Sequence, residues 1–253
     1  MASLTIFDDG NHRNILLEDF ASGGAAVQAN QHVIVHGNAG MILDPGGHKV
    51  YNRVFSETHG LLGTAKLKCI FLSHQDPDIV AAANGWLMTT DADAYASELW
   101  LRFIPHFGLD HLVEDRLHGI PDEGMYLDLG GGELAVLPAH FLHSCGNFQI
   151  YDGTSKVLYT GDLGASVGQD YREVSDFDAH LAYMEGFHRR YMTSNRAMRA
   201  WANMVRPLDI EVVAPQHGAI FKGKEMVERF VNWVEQLNCG IDLMQDSFVM
   251  PPR

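Results

Sequence analysis

Six side chains able to bind a metal stand at the downstream ends of four apolar runs. The runs read CIFLSHQDPD (69–78), ELAVLPAHFLH (133–143), KVLYTGD (156–162) and IEVVAPQH (210–217). They deliver His74, Asp76 and Asp78, then His143, then Asp162, then His217. Each run begins as a β-rich segment, so the donors belong at strand ends, where neighbouring strands bring distant positions together. Three imidazoles and three carboxylates form the donor set that two adjacent cations need. Metal-centred chemistry is therefore the first expectation, and the identity of the metal decides which chemistry.

HQDPD places donors at i, i+2 and i+4 directly after a strand, in a turn that Pro77 stiffens. Taken alone, Asp76 and Asp78 could instead cap a helix, with His74 incidental. HFLHSCGN offers two histidines, His140 and His143, either of which suits a ligand or a group that orients one. In TGD a carboxylate follows a strand and a glycine that permits close backbone approach, which suits Asp162 to bridge two metals. PQHG again ends a strand in His before Gly. Each signal is weak singly; four such termini together are strong. The remaining histidines, among them His12, His32, His36, His48, His59 and His106, lack partners at ligand spacing, and His188 belongs to structure or an interface.

The elements that must position these groups are legible in outline. The first 50 residues read as strands joined by turns (HRNILLEDF, AAVQANQHVIVHG, GMILDPGGHKV), with DPGG at 44–47 a strong turn signal. A helix over 51–64 ending near Gly60 or Gly63, a strand at 67–73 and a helix from Ile79 to Thr89 follow; 91–117 mixes short stretches of both kinds. Residues 124–140 read as a hairpin with a Gly-rich turn, and 148–162 as another with the tight turn DGTS. The segment 176–206 reads as one long helix stopped by Pro207, before a strand at 210–215 and a helix at 222–238. Strands precede helix, and the pattern repeats once. The expected architecture is α/β, a four-layer αββα sandwich in a single domain of two βα halves, roughly 1–120 and 121–253.

Composition narrows the partners. With 46% apolar and 20% charged residues the chain suits an ordinary globular protein. Its net charge of −14 argues against nucleic acid or an anionic membrane. No signal segment or long apolar run is present, so a cytoplasmic protein is expected. The cysteines Cys69, Cys145 and Cys239 are odd in number and widely spaced, as reduced thiols would be.

The motif order resembles the metallo-β-lactamase superfold over essentially the whole chain. Hydrolases of that family carry HxHxDH, a later His, a bridging Asp and a final His. Here Asp76 replaces the middle His and Ile79 the closing one. These departures point towards flavodiiron proteins, with HxExDH. HQDPDI, HFLHSCGNF and RRYMTSN (189–195) together look like the stand-alone oxygen-binding diiron proteins related to them. The resemblance selects His143 over His140. It implies one iron held by His74, Asp76 and His143, another by Asp78 and His217, and Asp162 between them.

A carboxylate in place of an imidazole makes the set harder and more anionic, favouring iron or manganese over zinc, although zinc would fit the same residues. Three carboxylates against two divalent ions leave a net charge of about +1, so an oxidised, oxygen-bound pair need carry no large buried charge. Loss of the His at Ile79 would leave one metal a ligand short and make that wall apolar, suiting O2 or NO. No FMN-carrying flavodoxin domain, GxGxxG loop or rubredoxin-type CxxC pair is present. An O2-binding diiron sensor for signalling or chemotaxis is thus expected first. The alternatives are an O2 or NO reductase fed by an external donor and a dinuclear metallohydrolase. Related domains associate as dimers, and Met198, Trp201 and Met204 offer a candidate surface.

Overall fold

The computed structural model describes residues 3–17, 19–21, 27–244 and 248–252. Glu18, Ala25 and Ala26 of the expected strands lie outside the described residues, as do Ser247 and Arg253 of the tail.

Alternation of side chains along the strands builds the layers. The first sheet holds seven strands in chain order: β1 (Leu4–Asp8), β2 (His12–Leu16), β3 (His32–His36), β4 (Ala39–Leu43), β5 (Lys66–Phe71), β6 (Asp93–Ser97) and β7 (Leu117–Ile120). Pairing is antiparallel from β1 to β4 and parallel from β4 to β7. The parallel steps need crossovers: α1 (Tyr51–Leu62) supplies the first, α2 (Pro77–Val80) and α3 (Ala83–Thr89) the second, and short 3-10 turns between Glu98 and Arg116 the third. On β3, Val33 and Val35 pack with Trp86 and Val54 of the helices, while Ile34 faces the other way.

The second sheet runs β13-β12-β11-β10-β9-β8 in space. Its strands are β8 (Met125–Leu129), β9 (Gly132–Pro138), β10 (Phe148–Asp152), β11 (Val157–Tyr159), β12 (Val212–Ala214) and β13 (Phe221–Lys222). Val157 and Tyr159 meet Met41 and Phe71 of the first sheet, whereas Leu158 between them packs against the outer helices. Those helices are α4 (Phe177–Tyr191), α5 (Asn195–Val205) and α6 (Lys224–Gln236). Three apolar clusters therefore separate four layers, the αββα sandwich expected from the sequence.

Both hairpins form at the expected places, and α1 ends before Gly63, whose φ is +61°. Several details differ. The long helix expected over 176–206 breaks after Tyr191, because Ser194 leaves the helical conformation and its hydroxyl accepts the Ala197 N–H, starting α5. Likewise 79–89 splits into α2 and α3, and the helix expected from 222 starts at Lys224 because Phe221 and Lys222 extend the sheet. β1 was not anticipated; it is an edge strand hydrogen-bonded to β2, with Leu4 and Ile6 half-buried against the inter-sheet core. The expected dimer surface loses two of its three residues: Met198 and Trp201 face the core beneath α5, while Met204 stays partly exposed.

Candidate metal centre

Strand ends assemble the site. His74 lies just beyond β5, Asp76 immediately precedes α2, and Asp78 sits in its first turn behind Pro77. His143 follows β9, Asp162 follows β11 and His217 follows β12. The parallel β11–β12 pair sets Asp162 and His217 side by side, and Gln216 N–H donates to the Gly161 carbonyl across them (2.7 Å).

Ligand-type atoms of His74, Asp76, His143 and Asp162 all lie within 4.8 Å of one another. His143 Nε2 stands 2.9 Å from Asp162 Oδ2 and 3.6 Å from Asp76 Oδ2; His74 Nε2 is 3.7 Å from Asp76 Oδ2. On the other side His217 Nε2 is 3.4 Å from Asp162 Oδ1 and 3.5 Å from Asp78 Oδ2. All six residues singled out in the sequence thus converge, with Asp162 common to both groups. His140 does not join them: its Nε2 meets the Asp122 carbonyl (2.9 Å).

Neighbouring groups fix which ring nitrogen faces inward. His217 Nδ1 donates to the Gln28 carbonyl (2.5 Å), and the Gln28 side chain accepts the Gly218 N–H (2.8 Å). The Ser73 hydroxyl lies 3.0 Å from His74 Nδ1, and Asp44 accepts the Ser73 N–H (2.8 Å). Gln216 Nε2 donates to Asp78 Oδ2 (3.2 Å), and Gln75 accepts from the Ser144 hydroxyl beside His143. Such contacts orient metal-binding groups and set their tautomers. Gln28, Ser73 and Gln216 carried no spacing signal; Asp44 sits in the DPGG turn, which marked only a bend.

The electrostatics are those of cations and anions pressed together. Burial penalises the charge on Asp162, yet the imidazoles of His143, His217 and His74 crowded against it hold its carboxyl well below the usual range. Burial works against an imidazolium at His217, but Asp162 and the Gln28 carbonyl outweigh it and raise the pKa to about 9. His74 rises in the same way through Asp76 and Asp162. Burial lifts Asp44 to about 6. Asp162 Oδ1, buried, still has no hydrogen-bond partner. A buried carboxylate oxygen without a hydrogen-bond donor, faced by the Nε2 atoms of His74 and His217, is a donor arrangement that fits a cation.

A cavity of about 690 Å3 opens over the cluster, walled by Val27, Ala29, Ala81, Ala165, Val167 and Phe187 among others. Its apolar wall is not made by Ile79 as expected from the sequence. Ile79 is fully buried in the helix-side core with Val80 and Trp86, because the first turn of α2 directs it inward.

An αββα sandwich with histidines and aspartates gathered at its strand ends is the metallo-β-lactamase fold. A family model described as ODP family beta lactamase matches residues 27–218, and the chain belongs to that family. The structure of a peroxy diiron species of the chemotaxis sensor ODP is 39% identical, with 98% of this chain and 100% of that one covered, at a TM-score of 0.87. The apo state of the chemotaxis sensor ODP from T. denticola is also 39% identical, covering 97% of this chain and 99% of that one, at 0.85. A flavo di-iron protein mutant from Thermotoga maritima shares the fold at a TM-score of 0.75 and 17% identity, over 92% of this chain and 60% of that one. An uncharacterized protein of Methanocaldococcus jannaschii is 21% identical over 76% of this chain and 50% of its own length, so the chain spans about half of that relative.

Proposed function

We propose that this protein is a non-haem diiron protein that binds O2 and reports it to a signalling or chemotaxis partner. The carrying observation is the pair of Asp162 oxygens, one 2.9 Å from His143 and the other 3.4 Å from His217. A single carboxylate between two imidazole groups is the arrangement that bridges two metals. In this reading His74, Asp76 and His143 hold one iron, Asp78 and His217 the other, and Asp162 both. The carboxylate-rich set and the buried, orphaned Asp162 Oδ1 favour that loading. Similarity to the ODP structures supports the choice of metal and of role.

Iron, when bound, supplies open coordination positions and accessible oxidation states for a diatomic ligand. The chain's own residues do the rest. The Gln28 carbonyl and Ser73 hold Nδ1 of His217 and His74, leaving each Nε2 for the metal. Gln216 steadies Asp78. The apolar cavity favours an uncharged gas over ionic competitors. Among the described residues no helix is long and apolar enough to cross a membrane. A homodimer, taken from the resemblance, would have to use surface other than Met198 and Trp201.

The reading is tested by exposing the anaerobic, iron-loaded protein to O2. A visible absorption band that develops and lasts for minutes supports it. Rapid bleaching with catalytic consumption of an added reductant would make the protein a reductase instead.

A further inference from the structure

A second cavity, of about 520 Å3, lies outside the metal site, between the β9–β10 loop and α5. Ala139, Phe141 and Leu142 form one wall; Ala197, Ala200 and Met204 form the other. The helix wall follows the i, i+3, i+7 spacing of one face. Phe141 remains half exposed. Among the residues lining this groove, Arg196 is the one with a full charge, and no carboxylate is present. Arg199, one turn further along α5 and outside the groove lining, is likewise exposed, and neither arginine makes an ion pair or hydrogen bond among the described residues. On a chain of net charge −14, an apolar groove edged by the Arg196 guanidinium, with that of Arg199 one turn away on the same helix, is a local inversion of sign.

We infer that this groove docks an acidic, apolar-anchored segment of a partner protein, and that the metal site and the groove share one segment, the β9–β10 loop. The chemistry fits: a Phe or Leu anchor fills the space between Leu142 and Ala200, and Asp or Glu beside it meets Arg196 and Arg199. The coupling is covalent and short. Groove residues 139–142 run directly into His143, whose Nε2 faces Asp162 and Asp76. Asn147 Nδ2 donates to the Leu142 carbonyl, and Thr193 N–H donates to the Phe141 carbonyl (3.3 Å), so the loop is tied to the rim of α5. A displacement of His143 on ligand capture therefore reshapes the groove floor. The inference rests on the sensor reading for its purpose and on the groove alone for its binding.

The test uses a fluorescein-labelled peptide of about 14 residues, bearing one Phe and two Leu among Asp and Glu, and a second peptide with Lys in place of the acids. Saturable micromolar binding of the acidic probe alone is expected, weakened about tenfold or more by Ala200→Trp and by Arg196→Glu with Arg199→Glu, and weakened by salt. Ala200 is exposed, so the tryptophan fills the groove without disturbing the core. Affinities differing by about threefold or more between anaerobic and O2-exposed protein support the coupling; equal affinities overturn it. Equal binding to all variants, or none by about 1 mM, overturns the docking site. So does binding that appears only after removal of residues 244–253, which would make the exposed Phe248–Met250 stretch the occupant. A wild-type dimer dissociated by Ala200→Trp, which would make a second copy the occupant, overturns it too. Iron content measured on the same samples separates the two readings: an iron-free protein sinks the sensor, while probe binding still decides the groove.

Discussion

His217 and Gln28 meet where a ring nitrogen points at a main-chain oxygen, Nδ1 to O at 2.5 Å, and this contact turns Nε2 towards Asp162 and Asp78. The Gln28 side chain completes the seat by accepting the Gly218 N–H at 2.8 Å. Gln28→Ala keeps the carbonyl but frees the Gly218 amide. Iron affinity is expected to fall about tenfold, within the range usual for groups that orient metal ligands. Chelator-competition titration with ferrous iron measures it; an unchanged affinity would remove the Gln28 side chain from the account.

Gly218 itself sits at φ +83°, and a Cβ there would come within 2.0 Å of Ser166 Oγ and 2.5 Å of the Ser166 carbonyl. Gly218→Ala must therefore both strain its own backbone and displace that turn. A loss of about 2–4 kcal/mol is expected, read as a fall in the midpoint of denaturant unfolding. A loss below about 1 kcal/mol would show that the Asp162 and His217 loops are less tightly packed than described.

Much of this site was legible because each donor closes an apolar run: His74 after CIFLS, Asp162 after VLYTG, His217 after VVAPQ. Strand ends announce themselves through the apolar-to-polar switch, and the parallel β11–β12 pair does the converging. What escaped notice acts through the backbone or across sheets. Gln28 is polar and lies far from His217 in the chain, so only the fold brings its carbonyl there. The break between α4 and α5 did carry a signal, Ser194 three residues before Ala197, but the helical composition on both sides masked it. Ile79 was placed by analogy with a ligand position, whereas the first turn of α2 rotates it into the core.

His188 shows how burial sets acid sensitivity. Fully buried, its Nδ1 donates to the Met184 carbonyl (2.7 Å), so its Nε2 accepts the Gly164 N–H (2.8 Å), tying α4 to the Asp162 loop. Burial depresses its pKa to about 4 from the ordinary 6.5. The unfolded chain therefore takes up a proton first, and the stability this imidazole contributes above pH 6.5 is lost as pH falls towards 4. The slope is about 1.4 kcal/mol per pH unit. His188→Gln in metal-free protein is expected to flatten the stability–pH curve by that amount between pH 6 and about 4.5. An unchanged slope would mean that the imidazole stays accessible to protons.

Asp76 sets the character of the donor set, lying 3.6 Å from His143 Nε2 and 3.7 Å from His74 Nε2. Asp76→His restores a nitrogen-rich group and is expected to raise the zinc-to-iron ratio taken up from a mixed medium by about tenfold. Elemental analysis reads it directly. A ratio unmoved by the substitution would separate metal choice from this carboxylate.

The most direct test is metal quantification of the protein purified without oxygen, beside Asp162→Ala. Two irons per chain in the native protein, falling to one or none in the variant, is the result this account requires. Two zincs, a single ion, or two irons retained without Asp162 would contradict it.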